Sequence, residues 1–391
     1  MNHAGGGPSQ PPEKAQVALI ECPDYDEELV FSALRKGIDL LGGIARFARP
    51  GEKILLKPNF LTSAAPEKCV TTHPALVKAM GALCQGNGAR VSFGDSPGFG
   101  SARSAAVKSG VAAVAREIGM KQADFNTPVQ VSFKEALIAK QLVLAKGALE
   151  TDGLISLAKM KTHGFMRITG AIKNQFGCVP GMRKGEYHVK MPRAEHFAAM
   201  LVDINRFLKP RLYVLDGIVA MEGNGPGSGN PRKMKVLLLS SDPVALDAVF
   251  CKLIHLPPQH VPTMAPAAAS GLGSFVDNEI EILGAELSRL ACPDFKVVRQ
   301  PAVPFDRSFP YYLKRWITAR PFIDYTLCEN CGVCTQVCPL EPKAVQRRPG
   351  SKNPLPVFDY ERCIRCYCCQ EMCPAGAIAI KRPLLSRVIH R

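Results

Sequence analysis

Residues 321–339, PFIDYTLCENCGVCTQVCP, and residues 356–374, PVFDYERCIRCYCCQEMCP, are two copies of one segment at an offset of 35. Pro321, Asp324, Tyr325 and Cys328 recur as Pro356, Asp359, Tyr360 and Cys363. The match continues through Cys328-x2-Cys331-x2-Cys334-x3-Cys338-Pro339 and Cys363-x2-Cys366-x2-Cys369-x3-Cys373-Pro374. Nine of the 15 cysteines fall in this stretch, and Cys22, Cys69, Cys84, Cys178, Cys251 and Cys292 are scattered singly before it. Residues 1–14 have neither a basic start nor an apolar core, so no secretory leader is expected and a cytoplasmic chain is. In that setting clustered cysteines point to metal rather than to disulfides. Three thiolates on one tight loop can hold three corners of a cubane, but so short a loop cannot reach the fourth, so a fourth ligand must come from elsewhere. Two copies imply two centres. Zinc, which takes four ligands in pairs, has no need of the CxxCxxC triple.

This part, roughly 321–381, resembles the bacterial-type ferredoxins with two [4Fe-4S] clusters. In that arrangement the fourth Cys of each run serves the other cluster. The resemblance therefore implies one [4Fe-4S] cluster on Cys328, Cys331, Cys334 and Cys373, and a second on Cys363, Cys366, Cys369 and Cys338. The small apolar segments 343–345 and 376–378 are expected to pack over them. Two features depart from the pattern: Leu340-Glu341 is an insertion in the first copy, and Cys368 is an extra thiol beside Cys369, read as a bystander.

Working outward, the preceding 280 or so residues alternate short apolar runs with longer amphipathic segments, the pattern of a mostly parallel sheet with helices on both faces. Strands are expected at 17–21, 53–56, 90–93, 153–157, 212–215, 236–239 and 279–283, and helices at 26–41, 74–85, 101–118, 192–207 and 243–255. The fold class is thus an α/β domain, 15–300, followed by a small α+β ferredoxin-like domain, 321–391. Residues 1–14 read as a loose Gly/Pro tail. Residues 301–320, Pro-rich and containing the only Trp, read as a linker packed on the surface. No apolar stretch approaches the 18 or so residues that a membrane span needs.

The net charge is +15, and most of the excess precedes the cysteines: 39 basic against 28 acidic residues in the first 320. It concentrates between Leu157 and Arg193 in Lys159, Lys161, Arg167, Lys173, Arg183, Lys184, Lys190 and Arg193, with His163 and His188 among them and Glu186 the only acid. Such a stretch attracts an anion. It begins at the carboxyl end of an expected strand, where open α/β sheets bind ligands, and alternation would put Lys159, Lys161 and His163 on one face. Two glycine turns, 94–100 and 222–229, follow strands without dinucleotide or P-loop spacing. The first has the better context for an anion, against the plain reading of a tight turn.

Leu55-Leu56-Lys57-Pro58-Asn59, Gly94-Asp95-Ser96-Pro97, Lys159-x-Lys161-Thr162-His163, Gly170-x2-Lys173-Asn174-x2-Gly177 and Ser241-Asp242-Pro243-Val244-Ala245-x-Asp247-Ala248 together resemble the DUF362 family, over roughly 17–283. The resemblance implies an α/β domain and a polar pocket of Lys57, Asn59, Asp95, Lys159, Lys161, His163, Lys173 and Asn174. It names no reaction. Cys178 reads as ligand, nucleophile, redox partner or small buried hydrophobe, the last being the commonest fate of a free Cys. Asp216, Asp242 and Asp247 are metal candidates, with Asp242 equally well placed as a helix cap.

The leading functional reading is an iron-sulfur oxidoreductase that exchanges electrons between a redox protein partner and an anionic small molecule. In it, Lys159, Lys161, Lys173 and Arg183 neutralise the ligand, while His163 and Lys161 are the catalytic candidates and Lys57, Asn59, Asp95 and Asn174 complete the binding set. The alternative is an electron carrier or assembly factor whose basic domain docks an acidic protein. Nucleic-acid binding ranks last, because aromatic residues are only 7% and are not interleaved with the basic run.

Overall fold

Along each strand of the large domain successive side chains serve two different cores. In β1 (Ala15–Glu21), Val17 and Leu19 join one core while Ala18 and Ile20 join the other. In β2 (Lys53–Lys57), Leu55 opposes Ile54 and Leu56. A sheet buried on both faces must be apolar throughout, which is why these strands read as unbroken apolar runs. The computed structural model describes residues 14–301, 318–347 and 354–381; the tail and linker expected from the sequence lie outside these residues, apart from their last or first few positions.

Further strands are β3 (Arg90–Phe93), β4 (Lys121–Gln122), the hairpin β5 (Pro128–Ser132) and β6 (Gln141–Ala145), β7 (Gly153–His163), β8 (Arg167–Thr169), β9 (Leu212–Glu222), β10 (Asn230–Ser240) and β11 (Ile280–Gly284). The main sheet runs β11-β1-β10-β9-β7-β2-β3-β4, with β8 paired to the end of β7. Pairings β1/β11, β7/β9, β2/β7, β2/β3 and β3/β4 are parallel, and β10 is antiparallel to both of its neighbours. Helices Glu27–Leu40 and Pro74–Gly86 cover one face; Ala194–Leu208 and Pro243–Leu253 cover the other. The helix expected at 101–118 is two, Ala102–Lys108 and Val111–Glu117, divided at Gly110, whose φ of 78° a helix cannot hold.

The cysteine-rich module keeps its internal repeat in three dimensions. β12 (Arg320–Ile323) pairs with β15 (Ile378–Lys381), and β13 (Val345–Arg347) with β14 (Pro356–Phe358), so each copy donates one strand to each hairpin-like pair. The tyrosines at equivalent positions reciprocate: Tyr325 donates to the Pro356 carbonyl at 3.0 Å and Tyr360 to the Pro321 carbonyl at 2.8 Å. The cysteine loops also match, with left-handed residues Asn330 and Gly332 in one and Arg365 and Tyr367 in the other.

Candidate functional site

Left-handed residues curl each loop tightly enough to turn its three cysteines inward. Cys328, Cys331, Cys334 and Cys373 line one small cavity together with Ile323 and Ile378, which is the crosswise set implied for the first cluster. In the second set Cys363 is half-buried, and desolvation, with Cys366 and Cys338 nearby, pushes its thiol up to about 11. Cys369 has Cys366, Cys363 and Cys338 as neighbours. Four sulfurs in an apolar setting are the donor set that a [4Fe-4S] cluster takes. Cys368 is hydrogen-bonded to Cys366 and half-buried.

The module docks on the glycine turns of the large domain. Gln370 donates to the Asn224 carbonyl at 3.1 Å and to its side-chain oxygen at 2.9 Å; Asn224 donates to the Ile378 carbonyl at 3.0 Å, and Ser228 to the Cys373 carbonyl at 3.2 Å. A Cβ on Gly227 would overlap the Glu371 carbonyl, one on Gly98 the Met372 methyl, and one on Gly164 the Ile380 side chain. Both glycine turns are therefore docking surfaces, not anion cradles. Gly227→Ala is expected to loosen this contact by about 1–3 kcal/mol, read as faster proteolytic release of the module with the α/β domain's melting unchanged.

Docking forms a half-open cavity of about 510 Å³. The large domain contributes Asn59, Asp95, Lys173, Asn174, Lys184 and His188, and the module contributes Cys338, Cys368, Glu371 and Met372. A family model described as a domain of unknown function, DUF362, matches residues 54–252, and one for a 4Fe-4S dicluster domain matches residues 320–374. The chain belongs to the DUF362 family. Its carboxyl-terminal module is a 4Fe-4S ferredoxin-type domain, and the combination is that of an iron-sulfur electron-transfer protein. A thylakoid-associated protein of Synechocystis is 37% identical over 257 residues, 66% of this chain and 79% of that protein. Among solved structures, the lactate racemase apoprotein of Thermoanaerobacterium thermosaccharolyticum aligns at 14% identity and a TM-score of 0.39, over 63% of this chain and 58% of that one. A Thermotoga maritima protein aligns at 11% and 0.31, over 52% of each. The chain thus spans little more than half the length of these two structures. Among the described residues no helix is long and apolar enough to cross a membrane.

The DUF362 residues singled out by sequence fall into three groups. Asn59, Asp95, Lys173 and Asn174 line the cavity. Lys57 stands behind them, fully buried, 2.9 Å from Asp95 Oδ1 and 3.1 Å from Asn174 Oδ1. Gly177 permits this approach, since a Cβ there would overlap Asp95. The remaining groups do not line it. Lys159 pairs with Asp216 at 3.0 Å and Tyr25 at 2.7 Å, because the strand register sets Lys159 opposite Asp216. Lys161 donates to the Val70 carbonyl at 2.7 Å, its ammonium held well below the usual lysine range by burial and by Lys173. Arg183, expected to bind the ligand, is exposed and outside the cavity at the start of helix Arg183–Lys190; Lys184 faces inward instead, pushed down to about 7 by burial. Of the basic run, Lys159 is thus paired with an acid inside the fold and Lys161 and Lys184 are held on backbone carbonyls, while Arg183, Lys190 and Arg193 stay exposed.

His163 touches the cavity wall through Glu371. Its Nδ1 accepts from the Phe165 and Met166 amides at 3.0 and 3.2 Å, so the ring hydrogen belongs on Nε2, 3.0 Å from Glu371 Oε1. Burial, with Lys173 nearby, pushes His163 down to about 4. Burial works against the Glu371 charge, but His163 and Lys173 outweigh it and hold the carboxyl down to about 2. Sequence reading missed Lys184, His188 and Glu371. His188 and Lys184 sat unassigned in the basic run, whereas nothing near Cys369 marks Glu371 as a residue of the other domain's pocket. Cys178 is a buried thiol pushed up to about 12 by burial, the bland alternative.

Asp242 is a helix cap, accepting from Val244 and Ala245 at 2.8 and 2.9 Å. Asp247 holds the short helix Ala171–Asn174, which carries Lys173 and Asn174, through the Ala171 and Ile172 amides at 2.6 and 3.2 Å. Burial pushes its carboxyl up to about 7 against these hydrogen bonds. An acid whose folded value exceeds its unfolded one destabilises as it ionises, so its contribution is fully favourable near pH 4 and is lost as pH rises through about 7. Stability of the parent relative to Asp247→Asn is therefore expected to fall by a few kcal/mol, at about 1.4 per unit, between pH 4 and 8. Denaturant titrations of both chains across that range check it.

Proposed function

We propose that the ferredoxin-type domain carries two [4Fe-4S] clusters on the crosswise cysteine sets, and that the protein is an oxidoreductase acting on a ligand held in the cavity between its modules. The observation that carries this reading is that Cys338, assigned to the second cluster, lines the same cavity as Lys173 and Asn174. When bound, such clusters supply single electrons. The chain's own groups do the rest. Lys173 neutralises an anionic oxygen, and Glu371 holds the proton of His163 Nε2 beside the cavity. His163 is then a positioning group acting through Glu371. Cys331, exposed where the other seven proposed ligands are not, gives a redox protein partner access to the first cluster.

Of the basic run that prompted the acidic-partner and nucleic-acid readings, Lys159 and Lys161 are buried while Arg183, Lys190 and Arg193 stay exposed; the cavity beside Cys338 favours the small-molecule reading. The test is anaerobic reconstitution, reduction, and measurement of reoxidation by candidate acceptors with Lys173→Ala beside the parent. Equal reoxidation in both, with iron content unchanged, removes the cavity from the reaction. Loss in Lys173→Ala alone, at full iron content, supports it.

A further inference from the structure

Besides Thr169 Oγ1, two buried side chains on the cavity wall carry polar atoms that have no hydrogen-bond partner: Asn59 Oδ1 and His188 Nδ1. Their residues are 9% and 5% exposed. An unmet buried polar atom costs about 1–3 kcal/mol, and both of these are held in place. The Asn59 backbone exchanges hydrogen bonds with Thr72 at 2.9 and 3.0 Å. The His188 ring stacks on Phe197 at 4.3 Å, with Phe165 and Phe176 beside it. Rigid, unsatisfied groups on a concave wall are what a ligand site presents before its ligand arrives.

The charges on the wall restrict that ligand further. Lys184 donates to the Val179 and Pro97 carbonyls, Lys190 lies 4.0 Å from Glu186, and Lys343 donates to the Cys338 carbonyl at 3.0 Å. Lys173 is the wall lysine that makes no hydrogen bond or ion pair among the described residues; Glu371 is the carboxylate that acts on it most strongly. Asp95 is committed to Lys57. One available ammonium flanked by carboxylates suits one negative charge, and a polyphosphate would meet Glu371 as well as Lys173. The glycine turns that could have cradled phosphate are filled by Met372 and the Glu371 backbone. Leu61, Phe176, Met182 and Val337 give an apolar patch to a wall that also carries Ser96, Thr169, Gln336 and Glu341.

We infer that the cavity binds an aromatic monocarboxylate that also carries a hydroxyl or N–H group, its carboxylate on Lys173, its donor on Asn59 Oδ1 or His188 Nδ1, and its ring against the apolar wall. This rests on the reading that the cavity is the reaction site, and it adds the chemical class. A volume of about 510 Å³ accommodates one or two fused rings.

The full chain, reconstituted anaerobically, is titrated calorimetrically with 2-naphthoate, its 1-, 3- and 6-hydroxy derivatives, inorganic phosphate and AMP. At least one hydroxynaphthoate is expected to bind about tenfold more tightly than 2-naphthoate, the value of one hydrogen bond to a buried acceptor. Asn59→Ser or His188→Phe abolishes that preference. Lys173→Met weakens every naphthoate about tenfold or more, and Arg183→Ala weakens none. Two folded variants at separate positions keep the test open if one fails to fold. Tighter binding of AMP or phosphate, or equal binding of all naphthoates by the parent, overturns the inference. Iron content and the reduced-cluster EPR signal are recorded on the same samples. Absence of naphthoate binding in a chain with intact clusters that still reduces another acceptor through Lys173 refutes the ligand class alone; naphthoate binding without any electron delivery refutes the oxidoreductase reading alone.

Discussion

Cys373→Ala and Cys334→Ala are expected to remove one and the same cluster, although the two residues belong to different copies of the repeat. Cys338→Ala and Cys363→Ala remove the other. Each variant should retain about half of the parent's iron and sulfide, because one of two four-iron centres goes. Cys373 lines the cavity of Cys328, Cys331 and Cys334, whereas Cys338 neighbours Cys363 and Cys369. The decisive measurement is the double variant. Cys373→Ala with Cys334→Ala should hold as much iron as either single variant, while Cys373→Ala with Cys363→Ala should hold almost none. Iron analysis with EPR of the reduced samples separates this from uncrossed ligation, in which the first pair would strip both centres and the second pair only one. Collapse of the whole module after a single change would appear as loss of both signals together with release of the module by protease.

Much of this architecture is legible because its causes are local. A doubled cysteine spacing fixes which residues can share a loop, and two-faced burial makes parallel strands conspicuous as apolar runs. Strand ends are less legible: β7 continues to His163 because Lys159 and Lys161 are buried by partners from β9 and from the Val70 turn, and nothing in a lysine announces such partners. Strand β5 escapes for a similar reason, its alternating exposed residues lacking an apolar run, whereas its partner β6 carries one at 142–145. The site was legible only in part. Lys57, Asn59, Asp95, Lys173 and Asn174 do converge, across more than a hundred residues of sequence. The opposite wall is supplied by another domain, and a contact between domains leaves no periodicity in either. Charge misled most. Sequence counts cations, but it cannot see that Asp95, Asp216 and Glu371 cancel them.

That cancellation makes Lys57 the most consequential single side chain of the large domain. Lys57→Met keeps the volume and the apolar stem but removes the ammonium that faces Asp95 at 2.9 Å, where both partners are essentially inaccessible to water. Asp95 Oδ2 would keep the Phe60 amide at 2.7 Å, yet Oδ1 would face no cation, and Asn174 Oδ1 would lose its 3.1 Å donor. Breaking one side of a buried pair costs about 3–5 kcal/mol, a large share of the roughly 5–15 kcal/mol that holds a domain. Lys57→Met is therefore expected to unfold at markedly lower denaturant, or to be recovered mainly as insoluble chain. Asp95→Asn alone removes a charge that Lys57 needs and should be destabilising too. The double variant leaves no buried charge at this position, and is expected to regain at least about 2 kcal/mol over Lys57→Met, since replacing both members of a buried pair is often close to neutral. Urea midpoints of the four chains measure the coupling directly. Additive losses, with the double variant the least stable of all, would mean that Lys57 and Asp95 act on separate partners and that the cavity wall does not depend on their pairing.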